Sequence, residues 1–393
     1  MARKLLEGVR VIESAAVITG PFAGMVLADL GAEVIKVEPP SGDQFRRWES
    51  DEAGVLPTFA CYNRGKRSIS VDLKAAEGRE LYKRLVARAD VVIENFRPGA
   101  MEKIGLGYEQ LKEVNPGLVY CHISGVGTTG PDRDRPTFDA VAQALSGLWS
   151  QLTDLKDPEP VGPPLADQLT ALFAAIGVLG ALHHRQATGV GVKIETNMLA
   201  ACLAFQAPGI AGFTHDGEVV HKTSRARQSQ SYAFVAGDGL PFAVHLSTPR
   251  KFWAGMCRAA DRPDLIDDRR YDTKPKRMAA YDELHDLFSK VFGELPRQTW
   301  LERLDAEDVP SAPILTVEEA VQHPQVTAND IVEGMGAVHG LAGLVKSPLR
   351  VDGRHLASDL PAPRLAAGTD EVLEEFGFSA DEREGLRSRG VVL

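Results

Sequence analysis

The sequence predicts an α/β protein, with a parallel β-sheet covered by helices on both faces and a second, smaller α+β unit. One observation predicts the sheet. Short apolar runs of strand length alternate with segments of helical period through the first half of the chain. That alternation is the signature of strands joined by crossover helices. The length predicts the second unit, because 393 residues exceed what one hydrophobic core usually fills.

Val9 to Glu13 in GVRVIESAAV is the first buried strand. GPFAGMVLADLGA supplies a helix ending near Gly31, and EVIKVEPP a second strand stopped by Pro39 and Pro40. RSISVDL alternates as a strand from Arg67 to Leu73. AAEGRELYKRLVARA is amphipathic at helical spacing, and DVVIENF is the next strand. YEQLKEVNP is a helix closed by Pro116, and the strand GLVYCHISG follows it. DAVAQALSGLW and residues 167–186 are helices, and VKIETNML is another strand. The stretch from Gly209 to Ser231 breaks the rhythm and reads as a linker. Residues 232–324 form the smaller unit. It starts with a hairpin, YAFVAGDGLPFAVHLS, turning at Gly237–Gly239, and continues into helices. VPSAPILTVEEAVQHPQV leads back to the large unit, assigned residues 1–208 and 325–393, where GLVKSPLRVDG is strand-like and TDEVLEEFGF helical.

Composition narrows the function. The net charge of −10 argues against nucleic acid as the main partner, since phosphate backbones want a basic surface. Cys61, Cys121, Cys202 and Cys257 stand apart, without C-x-x-C or Cys/His zinc spacing, so no metal site is expected and a reducing cytoplasm fits. MARKLLEGVRVIES has a basic start but no signal-peptide core. The longest apolar run, Leu169–Leu182, is shorter than a membrane span and reads as a core helix.

Several places could carry chemistry. The first strand–helix turn, ESAAVITGPFAG, lacks the dinucleotide glycine spacing, yet a helix N-terminus can still hold an anion. NRGKRSISVDLK gathers Arg64, Lys66, Arg67 and Lys74, and ENFRPGAMEK adds Arg97 and Lys103. Asn95, Phe96 and Arg97 follow a strand end, where ligands of open α/β sheets sit. A planar Phe beside Arg suits an adenine with phosphates nearby. The ten histidines show no metal-ligand spacing, and no G-x-S-x-G or P-loop occurs. Asp167 lies between Pro163–Pro164 and a long apolar run, and its first reading is a helix cap.

Together these segments resemble the class III CoA-transferases, the family of formyl-CoA transferase, carnitine CoA-transferase and α-methylacyl-CoA racemase. The matching stretches are GVRVIESAAVITGPFAGMVLADLGAEVIKVEPPSGDQFR, YNRGKRSISVDLK, ADVVIENFRPGAMEKIGLGYEQLKEVNPGLVYCHISGVGTTGP, VGPPLADQLTALFAAIGVLGAL and the two C-terminal segments VPSAPILTVEEAVQHPQV and TDEVLEEFGFSADEREGLRSRGVV. The resemblance implies a Rossmann-like large domain built from both chain ends, a small inserted domain, and a homodimer whose subunits thread through each other.

It also implies that Asp167 is the nucleophile. This carboxylate would attack an acyl-CoA thioester, pass through an anhydride and an aspartyl-CoA thioester, and hand CoA to a small carboxylic acid. Such a carboxylate must be ionised, and a helix N-terminus favours the anion. Acyl-CoA enters as substrate, with no tightly bound cofactor. The resemblance places Ala16 and Val17 at the nucleotide end of CoA and Val71 to Lys74 along it. Asn95, Phe96, Arg97 and Lys103 would meet its adenine, ribose phosphate or pyrophosphate. Two departures bear on the reaction. Phe138 stands where the racemases of the family carry a His, so two-base racemisation lacks a base. SRARQSQSYAF replaces the glycine-rich loop of the formyl-CoA transferases, which argues against formate and oxalate. CoA transfer is therefore expected, with an acyl-CoA racemase or isomerase and a non-catalytic acyl-CoA-binding protein as the alternatives.

Overall fold

The computed structural model describes residues 4–48, 57–333, 343–356, 358 and 360–393. Packing divides the chain into two units: Met1–Leu148, Gly162–Ala207 and Asp330–Leu393 in one, Trp149–Val161 and Pro208–Asn329 in the other.

The first unit begins with β1 (Arg10–Ser14), α1 (Thr19–Asp29), β2 (Glu33–Glu38), α2 (Pro57–Asn63), β3 (Lys66–Ser70) and α3 (Ala76–Val86). It continues with β4 (Val91–Glu94), α4 (Ala100–Lys103), α5 (Tyr108–Val114), β5 (Val119–Ser124), α6 (Asp139–Leu145), α7 (Leu165–Thr188), β6 (Lys193–Asn197) and α8 (Met198–Phe205). All six strands are parallel, in the order β3-β2-β1-β4-β5-β6. Alternate residues of each strand feed two cores. Ile12, Ile35, Ile69, Val92 and Tyr120 pack with α3 and α5 on one face. Val11, Val34, Val91, Ile93, Val119 and Cys121 pack with α1 and α7 on the other.

Strand ends differ from expectation for local reasons. β3 stops at Ser70 rather than Leu73. Asp72 turns the chain there: its N–H donates to Val391 and its side chain accepts from the Lys74 N–H. β6 ends at Asn197, whose side chain accepts from the Ala200 N–H and starts α8. α7 is longer than the apolar run suggested, and its 24 residues are long and apolar enough to cross a membrane. Ala171, Ala174, Val178 and Ala181 of α7 are nevertheless buried against the sheet, which makes it a core helix.

After Trp149–Val161 the second unit resumes at Pro208 with most of α9 (Ala207–Asp216) and with α10 (Ser224–Ser229), so the segment read as a linker, residues 209–231, is largely helical. The expected hairpin follows as β7 (Ser231–Val235) and β8 (Pro241–His245), antiparallel, with Gly239 at φ +79 in its turn. Then come α11 (Pro249–Ala259), α12 (Lys274–Ala279), α13 (Tyr281–Phe292), α14 (Arg297–Ala306), β9 (Ser311–Pro313), α15 (Val317–Gln322) and α16 (Pro324–Ala328). β9 joins β8 antiparallel, and Phe242, Trp253, Phe288, Phe292 and Trp300 fill the core between sheet and helices. This is an α+β unit, and it takes in loop 149–161, which the sequence had placed in the large unit.

The chain returns to the first unit through β10 (Val332–Glu333), β11 (Leu344–Val345), β12 (Arg350–Val351) and β13 (Arg354–His355), paired as two short ribbons. It ends with α17 (Thr369–Glu375) and α18 (Ala380–Ser388), whose Val372, Leu373 and Leu386 close the α3/α5 core.

Candidate active site

In this strand order the winding reverses beside β1. The helix after β1 packs on one face of the sheet, and α5, after β4, packs on the other. The departing loops therefore diverge, and a crevice opens outside the carboxyl ends of the two strands. A cavity of about 330 Å³ lies there. Its walls are Ala16–Thr19 after β1, Asn95–Pro98 after β4, Ile123–Gly125 at the end of β5, the stretch Arg133–Phe138, Gln44, Asp167 and Met198.

Asp167 is the third residue of α7, not its cap; the N-cap position is Pro164. The helix donors are taken by another residue. Oδ1 of Asp139, the first residue of α6, accepts from the Ala166 N–H at 2.8 Å and the Asp167 N–H at 3.2 Å. Its Oδ2 accepts from Gln143 at 2.6 Å. Asp139 thus satisfies two orphan amides of α7, and no hydrogen bond among the described residues engages the Asp167 carboxylate. That division of labour was not legible in the sequence. Asp139 lies 28 positions away, and nothing in the sequence around it shows that it reaches the amides of α7.

The expected preference of the helix terminus for an anion is outweighed here. Asp167 is 8 % exposed. Burial, and secondly the charge of Asp139, push its carboxyl up from 3.8 to about 7. A buried carboxyl that ionises near neutrality in a cavity is a marker of chemistry rather than of packing. Replacing Asp139 by Asn keeps an oxygen for the two amides and removes the like charge. The acid limb of the Asp139→Asn pH–rate profile is expected to move to lower pH, with the fold retained. An unmoved limb in kcat/KM would show that Asp139 acts on the helix alone.

The structure brings Ala16, Val17, Asn95, Phe96 and Arg97 together with Asp167 on one cavity. Val71, Lys74 and Lys103 are not on its walls. Val71 is 1 % exposed inside the α3/α5 core, whereas Lys74 and Lys103 are exposed at the same carboxyl edge of the sheet. Asn95 is already occupied. Its Oδ1 accepts from the Ala16 N–H at 2.9 Å, and its Nδ2 donates to Ala16 O at 2.8 Å and Thr19 Oγ1 at 3.0 Å.

The basic cluster around NRGKR is consumed internally. Arg64 pairs with Asp29, Lys66 with Glu13, and Arg67 with Glu33 and Glu375. Lys74, Arg97 and Lys103 carry no ion pair among the described residues, so the cations available to an anionic ligand are those and the cavity's Arg133 and Arg135, which the sequence reading passed over. The last two meet only Asp134 and Asp132, each at 3.6 Å and half-exposed. Phe138 is exposed at the cavity wall, where it offers a ring and no proton.

The comparisons agree with this geometry. Residues 6–370 match the family model described as CoA-transferase family III. Succinyl-CoA:glutarate CoA-transferase of Homo sapiens is 35% identical over 399 residues, which covers 99% of this chain and 90% of that protein. Succinyl-CoA–D-citramalate CoA-transferase of Chloroflexus aurantiacus is 35% identical over 398 residues, 98% of each. A crystal structure of a CAIB/BAIF family protein from Brucella suis superposes with a TM-score of 0.83 at 32% identity, covering 94% of this chain and 99% of that one. With a parallel sheet opening beside β1 and a match spanning both chain ends, the chain belongs to CoA-transferase family III and is a CoA-transferase.

Proposed function

We propose that this enzyme moves CoA from a dicarboxylyl-CoA donor to a free carboxylic acid through covalent intermediates on Asp167. The observation that carries the reading is the Asp167 carboxyl itself. It is buried on the cavity, relieved of capping by Asp139, and ionises near pH 7.

In the first step a carboxylate oxygen of Asp167 attacks the thioester carbonyl, the C–S bond breaks, and CoA leaves as thiolate. The thiolate then attacks the aspartyl carbonyl of the anhydride. Aspartyl-CoA thioester forms and the donor acid departs as carboxylate. The acceptor carboxylate attacks that thioester and again expels the thiolate, which attacks the acceptor carbonyl of the new anhydride. The new acyl-CoA leaves and the Asp167 carboxylate is restored. No net proton is needed, which fits a cavity where the exposed ring of Phe138 stands in the place of a second base. The racemase reading needs that second base. A pure binding protein needs no ionisable carboxyl at the reacting end.

Dicarboxylates are favoured by two supports. Relatives carry succinyl-CoA in their names, and Arg133 and Arg135 line the cavity with loosely held guanidinium groups that suit a second carboxylate. Arg97 and Phe96 are assigned to the CoA nucleotide. The direct test incubates the enzyme with succinyl-CoA and a panel of free acids and follows CoA exchange by mass spectrometry. Oxalate belongs in the panel, because a 32% identical relative in Acetobacter aceti is named acetyl-CoA:oxalate CoA-transferase. Absence of exchange with every acid ends this reading.

The same reading includes a homodimer. Leu172, Phe173 and Ile176 of α7 stand exposed at helical spacing, with Val141 and Leu145 of α6 and Leu203 and Phe205 of α8 also exposed. An apolar surface of this kind marks an interaction site. Light scattering is expected to give twice the chain mass, and a stable monomer at micromolar concentration counts decisively against it.

A further inference from the structure

The turn between β1 and α1 forms one wall of the cavity, and its backbone is not relaxed. Val17 has φ +68, the left-handed region that β-branched residues avoid. Ile18, the N-cap of α1, follows at φ −123, ψ −56 and makes no side-chain cap. Such an outlier persists only where the surroundings over-determine it.

The surroundings here are buried charges. Lys36 donates to Ala15 O at 2.8 Å, and Asp43 Oδ1 accepts from the Val17 N–H at 3.2 Å. Lys66 donates to Pro21 O at 2.7 Å. Glu13 bridges both lysines, at 3.0 Å to Lys36 and 2.7 Å to Lys66, and Lys36 also meets Asp43 at 3.0 Å. These four side chains are at most 1% exposed. Gly24 makes the room: a Cβ there would come 2.0 Å from Glu13 Oε2.

Two features argue that stability alone does not explain this arrangement. A buried ion cluster is commonly no more stable than well-packed apolar residues of the same volume. A β-branched residue at positive φ is itself unfavourable. Both unfavourable elements converge on the turn after β1 and the first residues of α1, and Ala16–Thr19 of that stretch line the same cavity as Asp167.

We propose that Glu13, Lys36, Asp43 and Lys66 form a buried positioning device that holds the Ala15–Pro21 turn in its strained form and so sets the rate of the acyl transfer on Asp167. The proposal rests on the reading of Asp167 as the reacting group. The device grips the turn from the side of the sheet, Asn95 grips Ala16 and Thr19 from β4, and the backbone between them is presented to the substrate as a fixed surface.

The test replaces Val17 by Gly, which admits many backbone conformations, and separately by Ala, which still restricts them. Val17→Gly is expected to lower kcat by about tenfold to a hundredfold, the scale of a small misplacement of a reacting group. Val17 also lines the cavity, so KM for acyl-CoA moves too, but it is expected to change by less than kcat, the mark of an interaction made in the transition state. Val17→Ala recovers most of kcat. Asp43→Asn, which keeps the acceptor for Val17 and removes the charge facing Lys36, lowers kcat in the same sense; if that variant does not fold, Val17→Gly decides. A Val17→Gly enzyme with wild-type kcat overturns the proposal, as does one whose loss lies in KM and thermal stability with kcat kept. A wild-type enzyme that exchanges no CoA overturns the reading of Asp167 first, and that result is seen before any variant is made.

Discussion

Asp167→Asn is expected to abolish CoA exchange by several orders of magnitude while raising the stability of the folded enzyme at neutral pH. The two effects have one cause. The amide cannot attack a thioester, so the covalent route closes. The amide also removes a carboxyl that folding holds in an unfavourable environment. Burial and Asp139 raise this group from 3.8 to about 7. Between those values the unfolded chain has released its proton and the folded chain has kept it, so stability falls as pH rises through that window, and the full penalty is present above about 7. The penalty is at most about 4 kcal/mol, at about 1.4 kcal/mol for each tenfold shift in the equilibrium. Asp167→Asn therefore flattens stability between pH 4 and 7. Asp139 still caps α7 through the Ala166 and Asp167 amides, so the variant keeps its helix. Incubation of the wild-type enzyme with acyl-CoA alone, followed by hydroxylamine, places a hydroxamate on the Asp167 peptide. An active Asp167→Asn enzyme, or a mark on another residue, would sink the assignment.

The second large effect concerns Arg97. It is exposed, lines the cavity after β4, and makes no ion pair among the described residues. Every cation of the neighbouring NRGKR segment is instead held by a carboxylate. Arg97 thus keeps its charge free for an anionic ligand, beside the half-exposed ring of Phe96, and the proposed reading gives it the phosphates of CoA. Arg97→Ala is expected to weaken CoA binding by about 1–3 kcal/mol, the scale of hydrogen bonds to a charged group. Arg97→Lys retains charge and loses the planar fork, so it falls between. Titration calorimetry reads both. Thermal stability is expected to be unchanged, because the side chain buries nothing. Unchanged CoA affinity in Arg97→Ala removes the residue from the site.

Much of the molecule was legible beforehand for a simple reason. A strand buried on both faces must be apolar, and a crossover helix must carry a 3.6-residue period, so β1 to β6 and the helices between them announce themselves locally. The hairpin at Gly237–Gly239 was equally local. What failed was non-local. The helices α9 and α10 went unseen in the 209–231 segment, because its polar, small composition carries no clear helical period. The NRGKR cations looked available because sequence shows charges without their partners. Glu33 lies 34 positions from Arg67 and Glu375 lies 308 positions away, and only the fold brings the three together.

The sequence by itself determined that this chain builds a parallel sheet, the order in which its strands and helices alternate, and that Asp167 lies at the start of an apolar helix. The tertiary structure alone decided what Asp167 is free to do. Whether a carboxylate caps its own helix depends on what else reaches the orphan amides, and here the answer comes from Asp139 on another helix. Its ionisation near pH 7 likewise depends on burial and on a like charge brought near by folding. The strained φ of Val17 has the same origin, since no local preference puts a β-branched residue there, and the turn is held by Lys36 of β2, Asp43 of the loop after it and Asn95 just after β4. Patterns fix elements because they act over a few residues; charge, strain and solvent exclusion act through space, and they exist only once the chain has closed on itself.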